Sequence, residues 1–333
     1  MALADDIARD IGVSPATVRN VLSGRNKEIW PSAKRRADEI REAAASRRYR
    51  INTAARAIAT GRFNNIALVL SREDFHVHMF QEALLSLRNA ARKANLHVVL
   101  GDLPTEDTAP DHLPDFLREL SVDGMLVSCI DEVAASVFPW INHYRIPAVW
   151  MNIKLPADCL FPDDQAGAIE ATSKLIELGH RSILYIDNSR NRHYSRVDRL
   201  TGYSAAMTSA SLPLRITDID VTSPGELGEL LRAAGAPTAI VAYGWEFAVR
   251  AYCVALGVGL KVPTDLSIIS FHSAPVWFTD KPIATMLIPA VEMGRRGVEE
   301  LERKIATPTY SVEPLALPFG YFQGASVDVP PNL

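Results

Sequence analysis

An all-α helix-turn-helix head joined to a bilobed α/β core is the fold class that the sequence predicts, and three observations carry it. Residues 3–24, LADDIARDIGVSPATVRNVLSG, read as two short helices with a sharp turn between them. Charge divides at the same end of the chain: residues 1–62 hold 13 Lys/Arg against 7 Asp/Glu, and the remainder holds 22 against 32. From residue 66 onward, short apolar runs alternate with helical patterns in two consecutive series, the signature of parallel sheets with crossover helices. The chain has 333 residues, 48% of them hydrophobic, which is enough apolar material for such a core.

In the head, Ile7, Ala8 and Ile11 recur at helical spacing and form one apolar stripe. Gly12 can take the left-handed conformation that ends a helix. Ser14 offers a hydroxyl to the free N–H groups of the next helix, and Pro15 suits its first position. Val18, Val21 and Leu22 face inward, leaving Thr17, Arg19, Asn20 and Ser23 outward on a helix narrow enough for a DNA major groove. Pro31 and Ser32 open a third helix whose stripe is Ala33, Ala37, Ile40 and Ala44, with Trp30 expected to pack over that small core. A basic connector follows at residues 47–52. Asn52 can cap a short helix over residues 53–60 that Gly61 ends, too short to persist alone in water. Two copies folding only when docked in a minor groove could set Ile58 as an apolar wedge between base steps. A plain linker is the other reading of this segment.

The core opens with IALVL at 66–70, as expected of a strand covered on both faces. A helical pattern over 80–94, HVVL at 97–100, a helix near 114–120, GMLVSC at 124–129, a helix over 133–143 and IPAVWM at 146–151 complete the first series. The second runs through a helix at 166–178 ended by Gly179, SILYID at 182–187, a helix at 200–210, ITDIDV at 216–221 and a helix at 227–234. It continues with TAIVAY at 238–243, a helix at 247–256, LSIISF at 266–271 and a final amphipathic helix at 292–305. Two lobes with a cleft between them follow. Ligand sites in such sheets lie beyond the carboxyl ends of strands, here after residues 70, 101, 128, 187, 243 and 271.

Other classes find little support. Cys129, Cys159 and Cys253 are far apart, odd in number and in apolar surroundings, as in reduced buried thiols and not a disulfide frame or zinc site. Asp5, Asp6, Arg9 and Asp10 interrupt any signal segment, and no run of about 18 apolar residues exists. A cytoplasmic protein without membrane contact is expected. Neither GxxxxGK[ST] nor GxSxG occurs, so no catalytic residue, metal site or cofactor is assigned, and His76, His78 and His180 read as structural or pocket-lining.

Five stretches in order then carry a resemblance: GVSPATVRNVLSG at 12–24, RYRINTAARAIATGR at 48–62, LIELGHRSILYI at 175–186, RLTGY at 199–203 and VEMGRRGVEEL at 291–301. Together they resemble LacI/GalR-family transcriptional regulators over essentially the whole length. The resemblance implies a DNA-binding head (1–49), a hinge helix (50–62) and a core like the type I periplasmic sugar-binding proteins (63–328). Lobe 1 would take about 63–161 and 289–318, lobe 2 about 162–288 and 319–328, with chain crossings near Phe161, Ile288 and Phe319. It implies a homodimer on double-stranded operator DNA. The DNA-facing set is Ser14, Pro15, Ala16, Thr17, Arg19 and Asn20 in the head, with Asn52, Ala55 and Ile58 in the hinge. Arg19 and Asn20 stand where the family usually has Ser and Arg, which implies a different half-site: Arg suits guanine, Asn suits adenine.

The implied effector set is Phe75, Phe161, Arg199, Gly244, Trp245 and His272. Arg199 matches the family's ligand-binding arginine. The usual Asn-Asp is here Gly244-Trp245, and the usual Phe-Asp-Asp is Phe271-His272-Ser273. The implied effector is a sugar or an acidic or phosphorylated sugar derivative, and the departures, which remove the amide and carboxylates that ordinarily hold sugar hydroxyls, make the pocket more cationic and aromatic and suit a ring or an anion. A solute-binding protein of a transport system is the competing function. It shares the core but leaves residues 1–62 without a use.

Overall fold

The computed structural model describes residues 2–22, 30–48, 61–70, 79–103, 122–129, 131–218, 223–278 and 281–331. They form two compact units, divided between Phe63 and Asn64.

The first unit is a three-helix bundle: α1 (Ala2–Ile11), α2 (Pro15–Leu22) and α3 (Pro31–Ser46). Gly12 turns the chain with φ +72°. The core is small-residue packing, with Ala4, Ile7 and Ala8 from α1, Val18 and Val21 from α2, and Ala37, Ile40 and Ala44 from α3. Trp30 does not pack over it. It is 71% exposed at the N-cap of α3, because alanines already close that core without an indole.

The second unit holds two sheets. Sheet one has the order β12-β5-β4-β3-β1-β2, all parallel, from β1 (Asn65–Leu70), β2 (His97–Asp102), β3 (Gly124–Ser128), β4 (Ala148–Met151), β5 (Cys159–Pro162) and β12 (Leu315–Leu317). Leucine and methionine side chains of α4 (Met79–Lys93) and α10 (Ala290–Ala306) cover one face. Trp140 and Ile141 of α5 (Asp131–Tyr144) cover the other. Sheet two has the order β10-β11-β9-β8-β6-β7, with β13 beside β11. Its strands are β6 (Ile183–Asp187), β7 (Ile216–Asp218), β8 (Ala239–Ala242), β9 (Ser267–His272), β10 (Val276–Phe278), β11 (Lys281–Leu287) and β13 (Gly320–Phe322). Helices α6 (Asp164–Glu177) and α7 (Tyr194–Ser209) lie on one face, α8 (Pro224–Arg232) and α9 (Trp245–Gly257) on the other.

The chain passes between the sheets at three places: β5 to α6, β11 to α10, and β12 to β13. The order of strands reverses between β1 and β3 in sheet one and between β6 and β8 in sheet two, so both crevices open at strand carboxyl ends. Two glycines permit the closest helix contacts. A Cβ on Gly202 of α7 would sit 2.3 Å from the Gln165 carbonyl of α6, and one on Gly294 of α10 would sit 2.2 Å from the Ala83 carbonyl of α4. Cys129 and Cys159 are buried as expected, but Cys253 is exposed on the outer side of α9. Helix α7 begins six residues earlier than the apolar pattern indicates, because its first turns are polar and His193 caps them.

His180 joins the base of sheet two to the C-terminal segment. The Asp328 carbonyl can only accept, so Nε2 donates to it at 2.9 Å and Nδ1 accepts from Thr238 Oγ1 at 2.8 Å. Burial, opposed in part by the Asp328 carbonyl and charge, lowers its pKa from 6.5. The unfolded chain therefore binds this proton first, and stability falls as pH drops below about 6.5. Urea midpoints measured between pH 7.5 and 5 should decline, and His180→Asn should flatten that slope. Gly202→Ala should cost about 1–3 kcal/mol by overpacking against backbone, whereas Gly257→Ala, with nothing within 4 Å of its Cβ, should be neutral or stabilising by urea titration.

Candidate functional site

Within the head, Ser14 caps α2: its Oγ accepts from the Thr17 backbone N–H at 3.1 Å and pairs with Thr17 Oγ1 at 2.9 Å. Pro15 takes the first helical position, and Val18 and Val21 turn into the core. Ala16, Arg19 and Asn20 are thereby left exposed on the outer face, with Thr17 half-buried beside the cap. Arg19 lies 3.8 Å from Asp5, an exposed pair of little worth and easily exchanged for another anion. Asn52, Ala55 and Ile58 lie outside the described residues, as does Phe75.

The second candidate site is built where β5, β6 and β8 end. Arg199, on α7, is buried, and so is Asp164 at the start of α6. Arg199 Nε donates to Asp164 Oδ1 at 2.7 Å and Nη1 donates to the Tyr243 carbonyl at 2.6 Å. The guanidinium lies over the rings of Tyr243 (4.8 Å) and Phe271 (4.4 Å). Burial opposes its charge, but Asp164, Tyr243 and Tyr185 outweigh this and raise its pKa. Asp164 also raises the Tyr194 hydroxyl, whose pKa is pushed up first by burial. Asp164 Oδ2 and the Tyr185 hydroxyl are buried in the same cluster without hydrogen-bond partners.

The other cations of this region are paired as well. Arg196 meets Asp187 with Nε at 3.1 and 3.2 Å and Nη2 at 2.7 Å. Lys154, following β4, pairs with Asp198 of α7, and its Nζ lies 5.2 Å from the Phe161 ring and 5.4 Å from that of Tyr194. Phe161 and Tyr194 meet edge to face at 6.1 Å. A directed hydrogen-bond chain runs beside them. Asn191 Nδ2 donates to the Tyr243 hydroxyl (2.9 Å), which pairs with Ser195 Oγ (2.8 Å), which pairs with His193 Nδ1 (2.8 Å). His193 Nε2 then donates to the Asn152 carbonyl at 2.8 Å.

Phe161 thus meets Tyr194 and Lys154, and Arg199 is not a free cation. Gly244 is the N-cap of α9 and Trp245 its first residue. Trp245 packs on the core cluster beneath β8 and meets His272 edge to face at 5.8 Å. His272 Nδ1 accepts from the Ala274 N–H at 3.1 Å, within its own loop. Residues absent from the sequence-based set are Asn152, Lys154, Asp164, His193, Tyr194, Ser195, Asp198 and Tyr243. Asp164 and Lys154 carry no motif, and only the strand-end rule pointed toward Tyr243.

Against known proteins, residues 172–327 match the family described as a Periplasmic binding protein-like domain. The ribose operon repressor of Haemophilus influenzae is 27% identical over 329 residues, covering 95% of this chain and 96% of that one. The chain is thus similar, over nearly its whole length, to named transcriptional repressors of the LacI type. In fold it is similar to the lac repressor dimer bound to operator and an anti-inducer (TM-score 0.75, 20% identity, 97% and 98% of the two chains). It is also similar to the transcriptional regulator CelR in complex with cellobiose (TM-score 0.65, 22% identity, 97% and 99%). Such regulators are not enzymes. Among the described residues no helix is long and apolar enough to cross a membrane.

The buried pair gives a direct test of how this cluster is held. Asp164→Asn leaves Arg199 buried without a countercharge and should cost about 3–5 kcal/mol in urea unfolding, while combining it with Arg199→Met should recover most of that loss. Asp38→Asn, which breaks an exposed pair with Arg41, should cost under about 1 kcal/mol.

Proposed function

We propose that this chain is a sequence-specific operator-binding regulator, a repressor, whose affinity for DNA is set by a small molecule held between the two lobes of its core. The observation that carries the reading is the capped α2, presenting Arg19 and Asn20, in a chain matched by a repressor along 95% of its length. A transport solute-binding protein has no use for that helix. We place the DNA-binding domain at residues 1–49, the hinge at 50–62 and the bilobed domain at 63–328. The lobes divide at about 161–162, 288–289 and 318–319. The site set remains Ser14, Pro15, Ala16, Thr17, Arg19 and Asn20 with Asn52, Ala55 and Ile58 for DNA, and Phe75, Phe161, Arg199, Gly244, Trp245 and His272 for effector. Asp164, Tyr194 and Tyr243 are added to the latter. The chain acts as a homodimer, as the lac repressor does, in the cytoplasm.

The ion pairs bear on the effector. Arg199, Arg196 and Lys154 each meet a carboxylate, so these three described cations are already balanced and offer little to a phosphate. Aromatic faces and paired carboxylates favour a sugar without a charged group over an acidic or phosphorylated one, and its hydroxyls could satisfy Asp164 Oδ2 and the Tyr185 hydroxyl. Control is linkage: a ligand that prefers one arrangement of the lobes shifts the population competent for DNA.

Gel shift with a genomic fragment library should retain a discrete set of fragments at moderate salt. Arg19→Ala should weaken those by about 1–3 kcal/mol and relax base preference, and a chain lacking residues 1–63 should retain none. A thermal-shift screen should show a raised melting temperature with neutral mono- or disaccharides and none with sugar phosphates or sugar acids. A response confined to the anions would reverse the effector assignment.

A further inference from the structure

The first turn after β4 belongs to lobe 1, and the start of α7 belongs to lobe 2. They meet through two polar contacts: His193 Nε2 to the Asn152 carbonyl at 2.8 Å, and Lys154 to Asp198. We propose that these two contacts form a latch between the lobes, making Lys154 and His193 positioning residues that set how readily the cleft opens.

Three features of the geometry support it. First, Lys154 occupies what a cleft ligand would otherwise contact: its ammonium sits between the Phe161 ring of one lobe and the Tyr194 ring of the other, with Asp198 closing the third side. Its stem and charge thus engage both lobes at once. Secondly, Asn152 is held with φ +61°, a conformation Asn tolerates, which turns its carbonyl toward α7. Thirdly, the two ring nitrogens of His193 face partners of opposite kind: Nε2 donates to a carbonyl, which can only accept, and Nδ1 faces a backbone N–H, which can only donate. Nδ1 accepts at the N-terminus of α7, from the Ser195 N–H at 3.3 Å and the Ser195 hydroxyl at 2.8 Å. That hydroxyl pairs with Tyr243, whose carbonyl and ring both engage Arg199. The latch is therefore wired to the effector floor: a ligand that moves Tyr243 or Arg199 disturbs the acceptor side of His193 and loosens its hold on the opposite lobe. Another inter-lobe bond, from Ser273 Oγ to Glu82 Oε2 at 3.0 Å, lies on different elements and is untouched by the variants below.

The test uses the full chain without DNA or sugar, read by amide hydrogen exchange in the segments at 152–158 and 191–199. Lys154→Met keeps the stem and removes the charge. His193→Asn keeps an N-cap acceptor for α7 but is too short to reach Asn152. Each should speed exchange in both segments by about five- to tenfold, the weight of one partly buried polar contact. The β6 segment, 183–187, should stay protected, which separates loss of the latch from unfolding of lobe 2. The swap of Lys154→Glu with Asp198→Lys should restore slow exchange. Unchanged exchange in both single variants, or a swap as fast as Lys154→Met alone, overturns the proposal. The latch concerns the same cleft as the effector reading but is measured without ligand. Failure of every sugar in the thermal-shift screen would strike that reading alone, and unchanged exchange would strike the latch alone.

Discussion

The core depends on one buried ion pair. Arg199 reaches the floor of the cleft from α7 and is met there by Asp164, from the first turn after the chain leaves sheet one. Either charge buried alone at that depth would cost several kcal/mol even after relaxation. Together they join α6 to α7, and the second guanidinium bond, to the Tyr243 carbonyl, adds the end of β8. The three elements that frame lobe 2's crevice are therefore fixed by one guanidinium. Stacking on Tyr243 and Phe271 covers the flat faces that its in-plane hydrogen bonds leave open.

Much of this architecture was legible in the residue pattern because the physics behind it is local. The apolar runs at 66–70, 124–129, 182–187, 238–243 and 266–271 became β1, β3, β6, β8 and β9, since a strand covered on both faces has no polar positions to hide it. Strands β5, β10, β12 and β13, of three or four residues, left no such trace, and β11 opens with Lys281 and Pro282, which read as a turn. The two densest motifs, RLTGY and VEMGRRG, owe part of their composition to packing. Gly202 and Gly294 sit where helices approach so closely that a methyl group would strike a backbone carbonyl.

The cleft was legible in part, and the limit is instructive. A single residue, such as Arg199, can be matched to a ligand-binding position by its neighbours in sequence. Its charge state in use depends on a partner 35 residues away in the chain, and spacing carries no trace of that partner. The same holds for Lys154 and Asp198, separated by 44 positions. An arginine, a lysine and several aromatics on a sequence suggest an anion site. Once each cation has its carboxylate, the same residues describe a neutral cleft. Trp30 failed for a related reason: a large apolar residue beside a helix is assumed to pack, but a core of alanine, valine and isoleucine left no space for it.

A cleft of matched ion pairs is also well suited to switching. An unpaired cation would bind any anion and would hold the lobes by nothing. A matched pair across two lobes, partly exposed as Lys154 and Asp198 are, contributes a modest amount in water, within reach of what a few new ligand contacts can replace. The fully buried pair at the floor behaves in the opposite way, because breaking it strands a charge. Placing the costly pair within one lobe and the exchangeable pair between lobes lets the lobes move without unfolding either. That division of strength, set by burial and not by residue type, gives one fold both a rigid floor and a movable closure.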